Sequence, residues 1–257
     1  MVLDATTKTP TDGDVTADSP EALETRTHIL KEKRFLRRIY EEWYTALTSD
    51  VLPGPGRILE LGSGGSFLRD SLPEVITSDI LPHAVVDVAL DGTRLPLVDD
   101  SLRAILMTNV FHHLPSPMTF FQDAARCVRP GGIVNMIEPW VTPWSRLVYG
   151  RLHYEPFTPT ATTWELDRGR PMSEANNALA WIVFQRDRSR FEVACPEWKI
   201  EAITLTMPFR YLLSGGVASK LGMPGWSFPA FRGVETLMKP LWPALAMFAK
   251  IRLKRAK

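Results

Sequence analysis

Between Glu60 and Ser66 an acid is followed by Gly62, Ser63, Gly64 and Gly65, small residues that let a backbone pass close to a ligand or take a positive φ. Ahead of them Ile58, Leu59 and Leu61 make an apolar run of strand length. A strand, a tight glycine turn and a helix start in that order form a nucleotide-type site, because unpaired backbone N–H groups converge at the helix amino end. Two ligand classes compete for such a loop. The dinucleotide fingerprint G-x-G-x-x-G/A, counted from Gly62, wants a small residue where the chain has Phe67. A benzyl group there holds helix and strand apart and disfavours the dinucleotide. Glu60, Gly62 and Gly64 instead match an acid followed by G-x-G-x-G, with Ser66 in the last glycine's place.

On those residues the chain resembles the class I S-adenosylmethionine (SAM)-dependent methyltransferases, specifically the small-molecule type (methyltransferase type 11, ubiquinone/menaquinone C-methyltransferase-like). The resemblance implies SAM as cofactor and S-adenosylhomocysteine as product, with Glu60, Gly62, Ser63 and Gly64 at the cofactor. Asp79 closes a second strand nineteen positions after Glu60, where an acid accepts hydrogen bonds from both ribose hydroxyls, and Ile80 would flank the adenine. Asp91-Gly92-Thr93 is by itself a turn signal, but its order in the chain resembles the family's segment at the adenine edge. Asn109 matches the position beside the methionine part of SAM. The family also carries an N-terminal helix over the cofactor, which makes Tyr40 and Tyr44 candidates for substrate binding, together with Trp140. Packing in the core is the alternative use of these aromatics.

For proton transfer the candidates are His113, His153 and Glu138, and the two histidines are also candidate substrate contacts. His112 and His113 are adjacent and point in different directions, so at most one faces a pocket. The resemblance puts His113 there, as a residue that shapes the site. No catalytic residue is assigned. A sulfonium methyl is already a strong electrophile, so much of the rate comes from positioning. A base is needed only for a hydroxyl or a protonated amine. No metal site is expected, because Cys127 and Cys195 are far apart and no other ligands stand at a credible spacing.

These residues need a scaffold that brings strand ends together. Ser19-Pro20-Glu21 is a helix start, and Leu36, Ile39, Tyr40, Trp43 and Leu47 recur at helical spacing towards Thr48. Beyond the turn cluster Pro53-Gly54-Pro55-Gly56, strands are expected at 57–61, 75–79, 85–90, 103–108, 133–137 and 199–207, with helices at 65–71 and 118–127. A helix opened by Ser173 and Glu174 is expected to run to Arg186. Ala249, Ile251 and Leu253 alternate with Lys250, Arg252 and Lys254, a period-2 strand in preference to a basic membrane helix. The fold class is α/β: a Rossmann-like, seven-stranded, mostly parallel sheet with an antiparallel C-terminal strand and helices on both faces. Residues 1–18 read as a disordered tail, 19–51 as a helical cap, and 52–257 as the SAM-binding domain, with substrate-facing insertions at about 140–198 and 208–245.

Composition bounds the function. With 30 Lys and Arg against 29 Asp and Glu there is no global charge to recruit nucleic acid. Two sparse cysteines suit reduced thiols and a cytoplasmic setting, and no apolar leader or spanning stretch is seen. The reading is a SAM-dependent methyltransferase acting on a small hydrophobic or aromatic acceptor, most readily at oxygen, since the insertions are rich in Trp, Phe and Tyr. Two alternatives stand beside it: a non-catalytic SAM-binding regulatory module, and a peripheral membrane methyltransferase acting on a lipid or quinone through Lys250–Lys257 and the basic cluster at Lys31–Arg38. Oligomeric state is not legible.

Overall fold

The computed structural model describes residues 20–84, 86–152, 155–166, 175–217 and 222–256. Two helices, α1 (Pro20–Glu32) and α2 (Arg34–Thr48), precede β1 (Arg57–Glu60), β2 (Val75–Asp79), β3 (Val88–Ala89) and β4 (Leu102–Thr108). Then come α3 (Pro117–Cys127), β5 (Val128–Pro139), α4 (Pro143–Leu152), α5 (Leu179–Trp181), a π-helical stretch over Ile182–Arg186, and α6 (Arg188–Ala194). The chain closes with β6 (Trp198–Thr206), α7 (Arg210–Leu213), α8 (Phe228–Leu237), α9 (Trp242–Leu245) and β7 (Phe248–Arg255). The seven strands form one sheet in the order β3-β2-β1-β4-β5-β7-β6. The first five run parallel, and β7 lies antiparallel between β5 and β6.

Strand alternation sends successive side chains to two cores on opposite faces. Leu59, Ile105, Met107, Val134 and Met136 join Phe121, Phe184 and Phe191 on one side. Ile58, Ala104, Leu106, Ile133 and Ile137 meet Phe35, Leu36, Ile39 and Trp43 of α2 on the other. The end of α2 is pinned to the sheet by Asp50, which accepts hydrogen bonds from Lys250 (2.7 Å), Arg252 (2.8 Å) and Asn135 (3.1 Å).

The C-terminal alternation forms the expected strand: Ala249, Ile251 and Leu253 are buried. Its cations are engaged within the fold, Lys250 and Arg252 on Asp50, Lys254 on Glu201 and Arg255 on Asp100. The membrane reading based on this segment therefore loses its support. The helix expected at 65–71 is only a single 3-10 turn at Leu68–Asp70. Phe67 turns into the aromatic face of α2, 5.0 Å from Tyr44 between ring centres, and a Cβ on Gly65 would stand 2.7 Å from the Thr27 backbone nitrogen. The cap occupies the space a helix would have used. The third strand shrinks to two residues, and the fifth extends to twelve. Ser173 and Glu174, where a helix start was expected, lie outside the described residues, as does the 1–18 tail.

Candidate functional site

Parallel pairing sets the site, because it brings the carboxyl ends of β1, β2, β4 and β5 side by side. Glu60 pairs with Thr77 and Leu106, and Thr108 pairs with Ile137, so the glycine loop, Asp79, Asn109 and Glu138 converge along one edge. Gly62 (φ +67°) and Gly64 (φ +49°) carry the loop through left-handed backbone, and Val110 packs against Gly62 so closely that a Cβ there would lie 2.6 Å from Cγ2. Glu60 is 2% exposed and accepts hydrogen bonds from Ser63 Oγ (2.9 Å) and Ser66 Oγ (2.6 Å), and Ser66 in turn meets the Tyr44 hydroxyl at 2.9 Å. Burial pushes its carboxyl up to about 7, against the two serine hydrogen bonds that lower it. Glu60 is thus a fastener of the loop, and the serine at the third glycine position is its partner.

Asp79 is buried and ties the loop to β2, accepting from Gly64 N–H at 2.8 Å and Leu81 N–H at 3.2 Å. Ile80 beside it is 40% exposed. Because Asp79 pairs with Ala89, the turn at Asp91-Gly92-Thr93 falls next to Ile80, and it is closed by Thr93 N–H and Oγ1 donating to Asp91 Oδ1, each at 2.7 Å. Asn109 ends β4 at φ +57°, a conformation asparagine tolerates better than most residues. Tyr40 of α2 is hydrogen-bonded to Asn109 and Tyr211, and burial pushes its phenol up to about 12 against those bonds. Among the described residues Asn109 Oδ1 is buried without a partner.

Directly after this asparagine lies a buried proton network. Glu138 Oε1 accepts from the N–H groups of Val110 and Phe111, both at 2.8 Å, and Oε2 meets His112 Nδ1 at 2.6 Å. An ionised carboxylate that accepts two N–H groups leaves Nδ1 as the donor, so the lone pair of neutral His112 sits on Nε2. That nitrogen is 3.8 Å from Glu155 Oε2, which accepts from Asn177 Nδ2 at 3.0 Å. Burial disfavours imidazolium, but the Glu138 carboxylate, and more weakly Glu155, outweigh it and hold His112 above the usual histidine value. His113 packs on it with ring centres 4.3 Å apart.

A family model described as a methyltransferase domain matches residues 59–136, the span from the glycine loop to the fifth strand. An uncharacterized methyltransferase of Mycobacterium leprae (strain Br4923) is 26% identical over 157 residues, covering 49% of this chain and 58% of the relative. One of Mycobacteroides abscessus (strain ATCC 19977) is 29% identical over 119 residues, 46% of this chain and 43% of the relative. Residues 59–136 of this chain are a methyltransferase domain, set on a sheet of the class I, Rossmann-like order. The chain spans little more than half the length of the first of those relatives. In fold the methyltransferase domain is similar to the geranyl diphosphate C-methyltransferase of Streptomyces coelicolor A3(2), at TM-score 0.52 and 11% identity over 93% of this chain and 86% of that one.

SAM is the cofactor of such a domain, and the residues present fit it. The orphaned Asn109 Oδ1 is an acceptor waiting for a donor such as an ammonium group. Ile80 offers an apolar face next to Asp79 and the 91–93 turn. A separate cavity of ≈ 520 Å³, lined by Gly56, Arg57, Glu74, Asp100, Ser101 and Arg103, lies at the amino ends of β1 and β4, the wrong end of the sheet for this chemistry.

Sequence reasoning brought Glu60, Gly62, Ser63, Gly64, Asp79, Ile80, Asp91, Gly92 and Asn109 to one edge of the methyltransferase domain, where the fold assembles them. Tyr40 reaches Asn109, whereas Tyr44 is spent on Ser66 and Trp140 is packed in the core. His153 lies outside the described residues. Asn177 escaped the sequence reading; Glu155 stood in it only within the His153-Tyr154-Glu155 stretch of possible proton acceptors, and His112 only as the neighbour of His113. The partner that singles out His112 from His113 is Glu138, 26 residues on, and strand register alone brings it close. The expectation of no metal set also meets a finding: His112, His113 and Glu155 each offer a ligand atom, all within 4.8 Å of one another. Glu138 behind His112 is the outer-shell carboxylate such a site would use.

Proposed function

We propose that this protein transfers a methyl group to an oxygen of a small hydrophobic or aromatic acceptor, with His112 as the base. The observation that carries this is the His112–Glu138 pair: a buried imidazole whose Nδ1 is fixed at 2.6 Å and whose Nε2 lies on the side of Glu155, one turn beyond Asn109. A hydroxyl must give up its proton as its oxygen is methylated, and a fixed imidazole can take it. SAM, when bound, supplies a methyl carried on a positively charged sulfur. Asn109 and the glycine loop hold that cofactor, Tyr40 of the cap closes over Asn109, and the surrounding rings exclude water. His112 Nε2 takes the hydroxyl proton as the oxygen is methylated, and the Glu138 carboxylate stabilises the imidazolium that results. Tyr211, hydrogen-bonded to Tyr40 beside Asn109 and stacked on Trp43 at 5.6 Å, puts an aromatic ring near the site, which supports an apolar acceptor.

The test is transfer of isotopically labelled methyl from SAM to a panel of hydroxylated aromatic and isoprenoid compounds, with the product's methylated atom assigned by NMR. Methyl on oxygen, lost in His112→Asn, supports the reading. Methyl on carbon or nitrogen refutes its finer part, and SAM binding without turnover of any acceptor favours the regulatory module. The His112, His113 and Glu155 trio favours a second reading, in which a divalent ion activates the acceptor oxygen. Activity that survives exhaustive chelation removes it.

A further inference from the structure

The helix α8 is apolar on both sides. Its inner residues Phe228, Phe231 and Glu235, continued by Met238 and Trp242 beyond its end, are buried or half-buried. Phe228 and Phe231 pack on Phe35 of α2 at 5.2 and 6.1 Å, and buried Glu235 accepts from Arg210 and from the N–H groups of Phe209 and Arg210. Its outer line is Ala230, Val234 and Leu237, at helical spacing, with Trp226 in the turn before it and Leu241 in the turn after it. These are exposed, Trp226 by 83% and Leu237 by 85%. A helix apolar all round is normally buried, so the outer line needs something to cover it.

Charge selects what covers it. From Gly222 to Leu245 the only acid is Glu235, which faces inward; Arg232 on α8 is paired with Glu42 of α2 at 2.6 Å, and Lys239 stands exposed in the turn after the helix. Arg34 packs on Gly225 and Arg38 lies over Phe228, which extends the same sign across the cap. A twofold contact between two copies of this chain would set these cations against each other. An anionic lipid surface satisfies both features, since it takes up Trp and Leu at its boundary and attracts the surrounding Arg and Lys.

We propose that α8, the turn at Trp226 and the segment to Leu241 dock this protein on an anionic lipid surface. The face sits on the back of α2, the helix whose Tyr40 reaches Asn109, so docking places the cap of the site against the membrane. Resting on the function proposed above, this narrows the acceptor to a lipid-soluble molecule met at the bilayer. The docking itself stands without that function.

The experiment is co-sedimentation of the full chain with vesicles of pure phosphatidylcholine or of phosphatidylcholine with phosphatidylglycerol, at low and high salt, alongside gel filtration. Wild type is expected to sediment with the anionic vesicles at low salt. The double variant Leu237→Asp, Leu241→Asp is expected to bind at least tenfold more weakly with an unchanged melting temperature, because both side chains are already exposed, and Lys239→Gln to bind more weakly at low salt only. Absence of wild-type binding to anionic vesicles overturns the proposal. So does equal binding by the double variant, or a wild-type dimer that the double variant converts to a monomer, which would make a second copy the partner. Vesicle binding requires no turnover, so its failure is separable from a failure of methyl transfer.

Discussion

Glu138 uses both oxygens, one on the backbone of Val110 and Phe111 and one on His112, so it orients the imidazole and shapes the loop that carries it. His112→Asn is expected to lower kcat by on the order of 10²–10³-fold with the KM for SAM little changed, since it removes proton transfer and not cofactor contacts. The pH profile carries the sign. His112 must be neutral to act, and its pKa is raised, so kcat/KM should fall as pH drops through a value above 6.5, a limb absent in the variant. Glu60 supplies a stability test of the opposite kind. Its carboxyl ionises at about 7 in the fold against 4.5 in the unfolded chain, because burial outweighs the hydrogen bonds from Ser66 and Ser63. The raised value costs nothing below 4.5; the cost accumulates as pH rises through 7 and reaches on the order of 3 kcal/mol. Glu60→Gln should therefore gain stability relative to wild type between about pH 5 and about pH 8 in urea titrations. An unchanged difference across that window would remove the burial argument.

At the level of elements, the cap and the glycine loop are one unit, because the α1 backbone lies directly on Gly65. Gly65→Val should force them apart at a cost of about 1–3 kcal/mol, seen as faster amide exchange in α1 together with a lower melting temperature. Asp50 fastens the other end of the cap. Lys250 and Arg252 hold its carboxyl below the usual value in spite of burial, so its contribution is present above 3.8 and lost as pH falls through the depressed value. Asp50→Ala, which leaves Lys250 half-buried without its carboxylate, should cost about 3 kcal/mol at neutral pH in the same titrations. The sequence carried the elements whose signals are local. Alternation marked β7, helical spacing marked α2, and the apolar run into Gly62 marked β1. It did not carry contacts that register creates. Ser66 read as a tolerated substitute for glycine until Glu60 and Tyr44 closed on it, and His112 could not be separated from His113 before β4 and β5 were aligned. The outer line of α8 was hidden for another reason: with both faces apolar, no period distinguishes the one that needs a cover.

For the whole molecule, the proposed function divides the architecture into a cofactor edge and an acceptor side. Strands β1, β2, β4 and β5 present the loop, Asp79, Asn109 and Glu138 along one edge, α2 reaches that edge through Tyr40, and α8 packs on α2 through Phe35. The acceptor chemistry proposed above depends on that edge binding SAM. Asn109 tests it most directly, since its buried Oδ1 has no partner among the described residues and its removal, though it frees Tyr40, leaves the loop fasteners Glu60 and Asp79 untouched. Asn109→Gly keeps the positive φ and deletes only the side chain. Calorimetric titration of wild type and Asn109→Gly with SAM is therefore the decisive measurement. One saturable site in wild type, weakened about tenfold or more in the variant, is the predicted result, equivalent to about 1.4 kcal/mol or more. No binding by folded wild type, or equal binding by both proteins, would contradict the assignment of the site.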